Sequence, residues 1–299
     1  MKRALIFGAN GQDGYYLNKL LHLNKIEVVS ISRTSGTILG DVADFEFVEN
    51  IIKDRLPNYV FHFAANSTTK HTALLENHAS ISSGTLNILE AVKKHSPHAK
   101  IFISGSAMQF KNDELPINEN TPFESSSAYS AERIYSVYLT RYYREKFNLN
   151  TYVGYLFNHD SPLRSENHIN QKIIKSAINI AKGNQDKLII GDFDVKKEFN
   201  YAGDIVTAIW QLVSQNEVSE MVIGSGAAYD IRIWIEYCFN KLGLKWEEHT
   251  IKDDKFVTDY NLLVSDPKLL MSTGWSPTKN IFQLADLMMK AEIEKHSVK

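Results

Sequence analysis

Met1-Lys-Arg-Ala-Leu-Ile-Phe-Gly-Ala-Asn-Gly-Gln-Asp-Gly-Tyr-Tyr-Leu17 is the stretch that decides the fold. Ala4-Leu5-Ile6-Phe7 is a short apolar run of the kind that makes a buried strand, and Leu17, Leu20 and Leu21 recur at helical spacing. Gly8, Gly11 and Gly14 stand between them, so the strand is expected to turn directly into the helix. At such a turn a nucleotide pyrophosphate can rest on backbone N–H groups and on the positive end of the helix. A side chain at these positions is expected to stand where the phosphates approach, which makes glycine a requirement of access as well as of the turn. The glycine pattern alone is common, and its place between a strand and a helix is what makes it specific.

Outward from this loop, runs rich in Val, Ile and Phe at 3–7, 27–32, 59–63, 100–104 and 151–157 alternate with helical stretches near 12–24, 44–55, 73–95 and 125–147. That alternation predicts an α/β fold built on a doubly wound parallel sheet. Pro57 precedes the third run, and Ser96-Pro97 stops the helix ahead of the fourth. Beyond residue 158 the rhythm loosens, with helices expected near 168–182, 202–214, 231–242 and 280–296 and strands at 187–190 and 220–223. Ser265-Asp266-Pro267-Lys268 is expected to cap a short helix that Gly274 closes. Residues 1–158 are therefore expected to form the dinucleotide-binding domain, with part of 187–223 returning to its sheet, and 159–299 to form mainly a smaller substrate-binding lobe.

A chain of 299 residues, 43% of them hydrophobic, can bury one large core or two modest ones. A formal net charge of −2 gives no bulk attraction to nucleic acid or to an anionic membrane, so neither is an expected partner. The single cysteine, Cys238, excludes an intramolecular disulfide and sits among Ile235, Tyr237 and Phe239 as core packing. The ten histidines are scattered, and His95 and His98 flank Pro97 without acidic or cysteine companions, so no metal site is expected. The opening apolar run is too short for a signal segment and nothing approaches a membrane span, which makes the cytoplasm the expected compartment.

Two groups could carry chemistry. Tyr129 and Arg133 are four apart on the helix that follows Ser125-Ser126-Ser127 and share a face. A phenol beside a cation is a candidate acid/base that can also hold a cofactor ribose. The run at 100–104 continues into Ser104-Gly-Ser106, which delivers two hydroxyls to the carboxyl edge of the sheet, where ligands bind in this architecture.

Glycine loop, strand-end serine and helical Tyr-x-x-x-Arg together resemble the extended short-chain dehydrogenase/reductases, whose pattern is a glycine-rich loop, a strand-end Ser or Thr, and Tyr-x-x-x-Lys. Gly11-Gln-Asp-Gly14, Gly40-Asp41, Phe61-His-Phe-Ala-Ala65, Leu156-Phe-Asn-His-Asp-Ser-Pro-Leu-Arg164 and the stretch from Ile173 to Gly183 narrow the resemblance to GDP-mannose 4,6-dehydratases over nearly the whole chain. The resemblance implies a Rossmann-type domain in which Gly8, Asn10, Gly11, Gln12, Asp13 and Gly14 hold the pyrophosphate and Asp41 and Val42 flank adenine. Ala64, Ala65, Ser104 and Leu156 would line the rest of the cofactor path to Tyr129 and Arg133. After the second strand, Ser30-Ile-Ser-Arg33-Thr-Ser35 lacks an acid for a ribose 2′-hydroxyl and offers a cation and hydroxyls suited to a 2′-phosphate, so NADP(H) is expected over NAD(H). Ser67, Ser106, Asn158, Lys172 and Lys197 are expected to hold a GDP-linked nucleotide-diphosphate sugar, with His168 and Asn170 nearby. The family's pairing through helices near 73–95 and 125–147 implies a homodimer, with a homotetramer as the alternative.

The departures from that pattern bear on the reaction. In the dehydratases a Glu two residues after the strand-end Thr removes the C5 proton so that the C6 hydroxyl can leave; here the aligned residues are Ser106 and Met108. Arg133 replaces the Lys of Tyr-x-x-x-Lys and keeps its charge without its ability to relay a proton. Lys197 and Gln171 each stand where the family has Arg. These changes remove elimination chemistry and leave hydride transfer, with Tyr129, Ser106 and Arg133 as the catalytic set. The expected enzyme is an NADP(H)-dependent C4 ketoreductase of a GDP-4-keto-6-deoxy hexose or heptose, in deoxysugar formation for surface polysaccharide. The alternatives are a GDP-mannose 4,6-dehydratase-type lyase and a non-catalytic dinucleotide-binding sensor or subunit.

Overall fold

The computed structural model describes residues 2–66 and 68–297. The opening stretch forms strand β1 (Arg3–Phe7) and helix α1 (Gln12–Leu23). The chain continues through β2 (Glu27–Ser32), β3 (Ile38–Leu39), α2 (Phe45–Arg55) and β4 (Tyr59–His62). After these come α3 (Leu74–Asn77), α4 (Gly84–His95), β5 (Lys100–Ser106), α5 (Ala128–Phe147) and β6 (Asn150–Leu156). The strand Glu220–Ile223 completes a seven-stranded sheet in the order β3-β2-β1-β4-β5-β6-(220–223), with every pairing parallel. Strand order reverses between β1 and β4, which opens a crevice at the carboxyl ends of the strands.

A parallel sheet covered on both faces needs unbroken apolar strands, and all four residues of β4 are buried. On one face Leu17 and Leu21 of α1, with Ile205, Ile209 and Leu212 of a later helix, pack on Ile6, Phe61 and Phe102. On the other face Val48, Ile52, Ile88 and Val92 pack on Leu5, Val60 and Ile101. Burying each of these side chains contributes roughly 2 kcal/mol before the loss of chain entropy. The lobe has a core of its own in α6 (Ile169–Ala181) and in the helices Ile231–Asn240 and Ile281–Ser297, where Ile174, Trp234, Cys238, Phe239 and Leu284 are buried together. The helix between the two regions, α7 (Ala202–Ser214), belongs to the sheet's first face.

Two expectations are corrected. The helix expected across 73–95 is a 3-10 turn at His71–Ala73, then α3, a π-helical stretch at His78–Ser83, and α4. Ser80 and Thr85 donate from their hydroxyls to the carbonyls of Glu76 and Ile81, competing for the acceptors of a regular helix. The part of 187–223 that joins the central sheet is Glu220–Ile223, while Leu188–Ile190 pairs in parallel with Thr250–Lys252 inside the lobe. The short helix Lys268–Ser272 has Pro267 as its N-cap with no side-chain cap, since the Ser265 hydroxyl is taken by buried Glu198 and Asp266 by Lys268. Gly274 closes that helix as expected, at φ +83°. Among the described residues no helix is long and apolar enough to cross a membrane.

Candidate active site

Two chambers lie along the carboxyl ends of the strands, and Phe63 lines both. The smaller, about 220 Å³, is lined by Gly8, Asn10, Gly11, Arg33, Thr34, Asp41, Val42, Ala64 and Ala65. The cofactor positions expected for the adenosine half thus converge on one hollow. Gly11 is the N-cap of α1, and no side chain caps that helix, so its first N–H groups are free for an anion. The glycines divide the work differently from the expectation. A Cβ on Gly8 would stand 2.6 Å from the Ala64 nitrogen, and one on Gly14 would stand 2.7 Å from the Gly8 carbonyl oxygen. Gly8 also sits at φ +86°. These two residues are glycine because backbone packs on backbone. Only Gly11 of the three faces open space, its Cβ meeting nothing nearer than the Gly8 oxygen at 3.4 Å.

The larger chamber, about 350 Å³, brings together Asp13, Ser104, Ser106, Met108, Tyr129, Arg133, Leu156, Asn158, His159, Arg164, His168 and Asp259. Ser127 begins α5 with a reciprocal cap to Ser130, which sets Tyr129 in the first turn. The buried Arg133 donates from Nε to the Tyr129 hydroxyl at 3.1 Å and from Nη1 to the Ser104 hydroxyl at 2.8 Å and to the Ser104 carbonyl. Ser104 in turn donates to the His62 carbonyl at 3.0 Å, so its hydroxyl is used in holding Arg133. Ser106 ends β5 and caps the 3-10 turn Ala107–Gln109, accepting from the Met108 N–H at 3.2 Å. Its own proton stays available to a ligand, so the serine caps the strand exit and presents a donor to the chamber. Met108 is half-buried in the same wall, as an apolar side chain with no proton to give or take.

Gln12 and Asp13 act through their side chains in a way the sequence did not indicate. Gln12 donates to the His159 carbonyl at 3.0 Å and accepts from the Ser161 hydroxyl at 2.9 Å. Asp13 lies 2.9 Å from His159 Nε2, and His159 Nδ1 donates to the Phe157 carbonyl at 2.7 Å. The glycine loop is thereby tied to the Asn-His-Asp-Ser segment of the lobe. Burial acts to raise the Asp13 pKa, and His159 with Arg164 and Arg133 outweighs it and holds the carboxyl below its ordinary value. Burial acts to lower the His159 pKa, and Asp13 outweighs it and holds the imidazole above its ordinary value. The pair is an imidazolium on a carboxylate.

A corner of the larger chamber is rich in positive charge. Arg164 Nε is 3.0 Å from Asp160, which also accepts from Asn170 at 2.6 Å. Lys197, expected at the substrate, is not among the residues lining the chamber; it is buried within electrostatic reach of Asp160, Arg164 and His168, and burial pushes its amine down to about 8. Asn158 lines the chamber with a buried Oδ1 that has no hydrogen-bond partner. The orphaned acceptor calls for a donor such as a sugar hydroxyl, and Arg164 suits an anionic group on the same ligand. Lys172 is not brought there: it is exposed, donates to the Ile189 carbonyl at 2.9 Å, and lines a separate hollow with Glu166 and Lys175. Its place on α6 turns it away from the chamber. Ser67, expected at the substrate, lies outside the described residues. Arg164, Asp259 and Tyr260 line the chamber without having been assigned to it from sequence, and His168, expected only near the substrate, lines it as well; the Arg164 signal was present in the Pro-Leu-Arg ending of the motif.

The sequence matches the profile of the GDP-mannose 4,6 dehydratase family over residues 5–288. The chain belongs to this family. GDP-mannose 4,6 dehydratase 1 of Arabidopsis thaliana is 27% identical over 98% of this chain and 90% of its own length. GDP-mannose 4,6-dehydratase of Sinorhizobium fredii is 28% identical over 98% of this chain and 97% of its own length. Among solved structures, dTDP-glucose 4,6-dehydratase from Bacillus anthracis in complex with NAD superposes with a TM-score of 0.86 at 18% identity, covering 99% of this chain and 98% of that one. RMD from Pseudomonas aeruginosa complexed with NADPH superposes at 0.85 with 19% identity and the same coverage. These likenesses establish the fold as that of the extended short-chain dehydrogenase/reductases. The family is one of enzymes acting on nucleotide sugars, and the names of the relatives favour a 4,6-dehydratase over the ketoreductase put first from the sequence.

Proposed function

We propose that this chain moves hydride between a nicotinamide dinucleotide, NADP(H) by the expectation from Arg33, and C4 of a GDP-linked sugar. The observation that carries the proposal is the Tyr129–Arg133–Ser104 cluster beside the Ser106 hydroxyl in one chamber. The uncapped N-terminus of α1, with the hollow that holds Arg33 and Asp41, fits such a cofactor, which when bound supplies the hydride donor or acceptor. The chain's own residues handle the proton. Tyr129 exchanges a proton with the sugar O4, and Ser106 donates a hydrogen bond to the same oxygen as its charge develops. Arg133 holds the phenol against β5.

Two reactions share this step. The first, favoured by the relatives, is a 4,6-dehydratase, in which oxidation at C4 would be followed by loss of water across C5 and C6 and by return of the same hydride to C6 with a proton to C5. Its C5 proton would pass to a chamber group other than Met108. The second, favoured by the apolar Met108 wall, is a C4 ketoreductase that stops at hydride transfer. The test is to give the purified protein GDP-mannose with NADP⁺ and, separately, GDP-4-keto-6-deoxymannose with NADPH. Formation of a 4-keto-6-deoxy sugar identifies the dehydratase, and NADPH consumption with a 6-deoxyhexose product identifies the reductase. Tyr129→Phe is expected to slow either by about 10²–10⁴-fold with cofactor binding unchanged. No turnover of either pair overturns the proposal. The same reading assigns a dimer through α4 and α5, whose Leu86, Tyr135, Tyr138 and Tyr142 are exposed in the single chain; light scattering at a mass of one chain would exclude it.

A further inference from the structure

We propose that His168 is a binding group for the diphosphate of the incoming substrate, donating a ring N–H to a phosphate oxygen in the company of Arg164 and Lys197. The inference rests on the nucleotide-sugar reading above. His168 is the N-cap residue of α6, yet its side chain makes no capping hydrogen bond, and its main chain alone serves the turn, through the His168 N–H to Ser165 and the Lys172 N–H to its carbonyl. The imidazole instead lines the larger chamber with Ser106, Tyr129, Asn158 and Arg164.

The charges around the ring ask for an anion. Arg164, Lys197 and His159 act on it as cations, and Asp160 is the carboxylate that opposes them. Asp160 is already engaged by Arg164 and Asn170, and His159 by Asp13. Asp259 lines the same chamber. Of the charged groups near by on its own element, Lys172 turns to the Ile189 carbonyl, and Glu166 pairs with Lys175. Lys197 places its buried amine 5.2 Å from the Phe199 ring centroid, and among the described residues no acceptor forms a hydrogen bond with it. Burial, reinforced by Arg164, pushes the His168 pKa down to about 4, so the ring is neutral while the chamber holds only protein. A diphosphate brings negative charge into this corner, favours the imidazolium, and turns the ring N–H into a charge-assisted donor. Binding should therefore take up a proton.

The experiment follows the histidine ring signals by ¹H–¹⁵N NMR through a pH titration, with His168 identified by its loss in His168→Gln, for the free protein and with GDP-mannose added. The expected result is a rise in the His168 pKa of about three units on binding, and an affinity in His168→Gln about tenfold weaker at pH 6 and close to wild type above pH 8. A merely structural role would weaken binding equally at both pH values. If GDP-mannose binds and the His168 pKa does not move, the inference is overturned while the nucleotide reading stands. If GDP-mannose does not bind, the nucleotide reading fails, and inorganic pyrophosphate takes its place as the probe. A pyrophosphate-dependent rise in the His168 pKa then supports the inference, and absence of that rise overturns it.

Discussion

Replacing Asp13 by Asn should produce a stability loss that depends on pH in a direction fixed by its partner. Asp13 and His159 are 2.9 Å apart, with side chains only 19% and 11% exposed, so solvent screens the pair weakly. Removing one member of a buried ion pair costs about 3–5 kcal/mol when the other stays charged. Here the imidazole can release its proton, so we expect about 2–3 kcal/mol near pH 6, or a melting temperature lower by about 3–5 °C. Asp13 is held below 3.8, so its contribution is present above that value and is lost as pH falls. His159 is held above 6.5, so its contribution is complete below 6.5 and is lost as pH rises through the folded value. The gap between wild type and variant should be widest between those limits and should narrow toward alkaline pH. Thermal melts of both proteins across that range measure it. A gap that is the same at mildly acid and strongly alkaline pH would refute the ion pair as the source of the stability.

Met108→Glu should raise formation of the 4-keto-6-deoxy product from GDP-mannose by about tenfold or more by restoring a carboxylate in the chamber wall; equal rates in both proteins would show that Met108 does not limit elimination. Arg33→Ala should weaken NADP(H) binding about tenfold and leave NAD(H) unchanged, measured by fluorescence titration, because Arg33, which lines the smaller chamber and pairs with Glu76 at 3.0 Å, is the cation expected at a 2′-phosphate. Glu220 accepts from Arg141 at 2.6 Å, Arg144 at 2.9 Å and the Tyr155 hydroxyl at 2.5 Å. Burial opposes its ionisation, and these donors outweigh burial and lower its pKa from 4.5 to about 2. The linked stability, about 3 kcal/mol, is present above pH 4.5 and is lost as pH falls toward 2, so Glu220→Gln should cost most at neutral pH and little in acid denaturation melts.

The cofactor half of the molecule was legible because its physics is local. Buried parallel strands must be continuous apolar runs, so β1, β2, β4, β5 and β6 stood out within a residue or two of their ends. Tyr129 and Arg133 declared a shared face through their spacing, and Gly8, Gly11 and Gly14 declared a turn. The lobe was less legible: Asn200–Tyr201 pairs with His159–Asp160, and two-residue strands carry no periodicity to detect. The tie from Gln12 and Asp13 to His159 and Ser161 joins residues nearly half the chain apart, and no local pattern announces it. Lys172 sits on a helix whose polar face was evident while the direction of that face was not, and only packing against the lobe core turns it outward. His168 occupies a cap position with a side chain that does not cap, so its freedom to face a ligand emerges only in three dimensions.

The division of labour among the three glycines changes what such a motif records. Gly8 and Gly14 are fixed by contact with the loop's own backbone, and Gly11 borders open space. A descendant that had given up its nucleotide would still need Gly8 and Gly14 to fold, and would be released from constraint first at Gly11. The outer pair is thus a fossil of the turn, and the middle glycine is the witness to a ligand still in use. In this chain the witness is present.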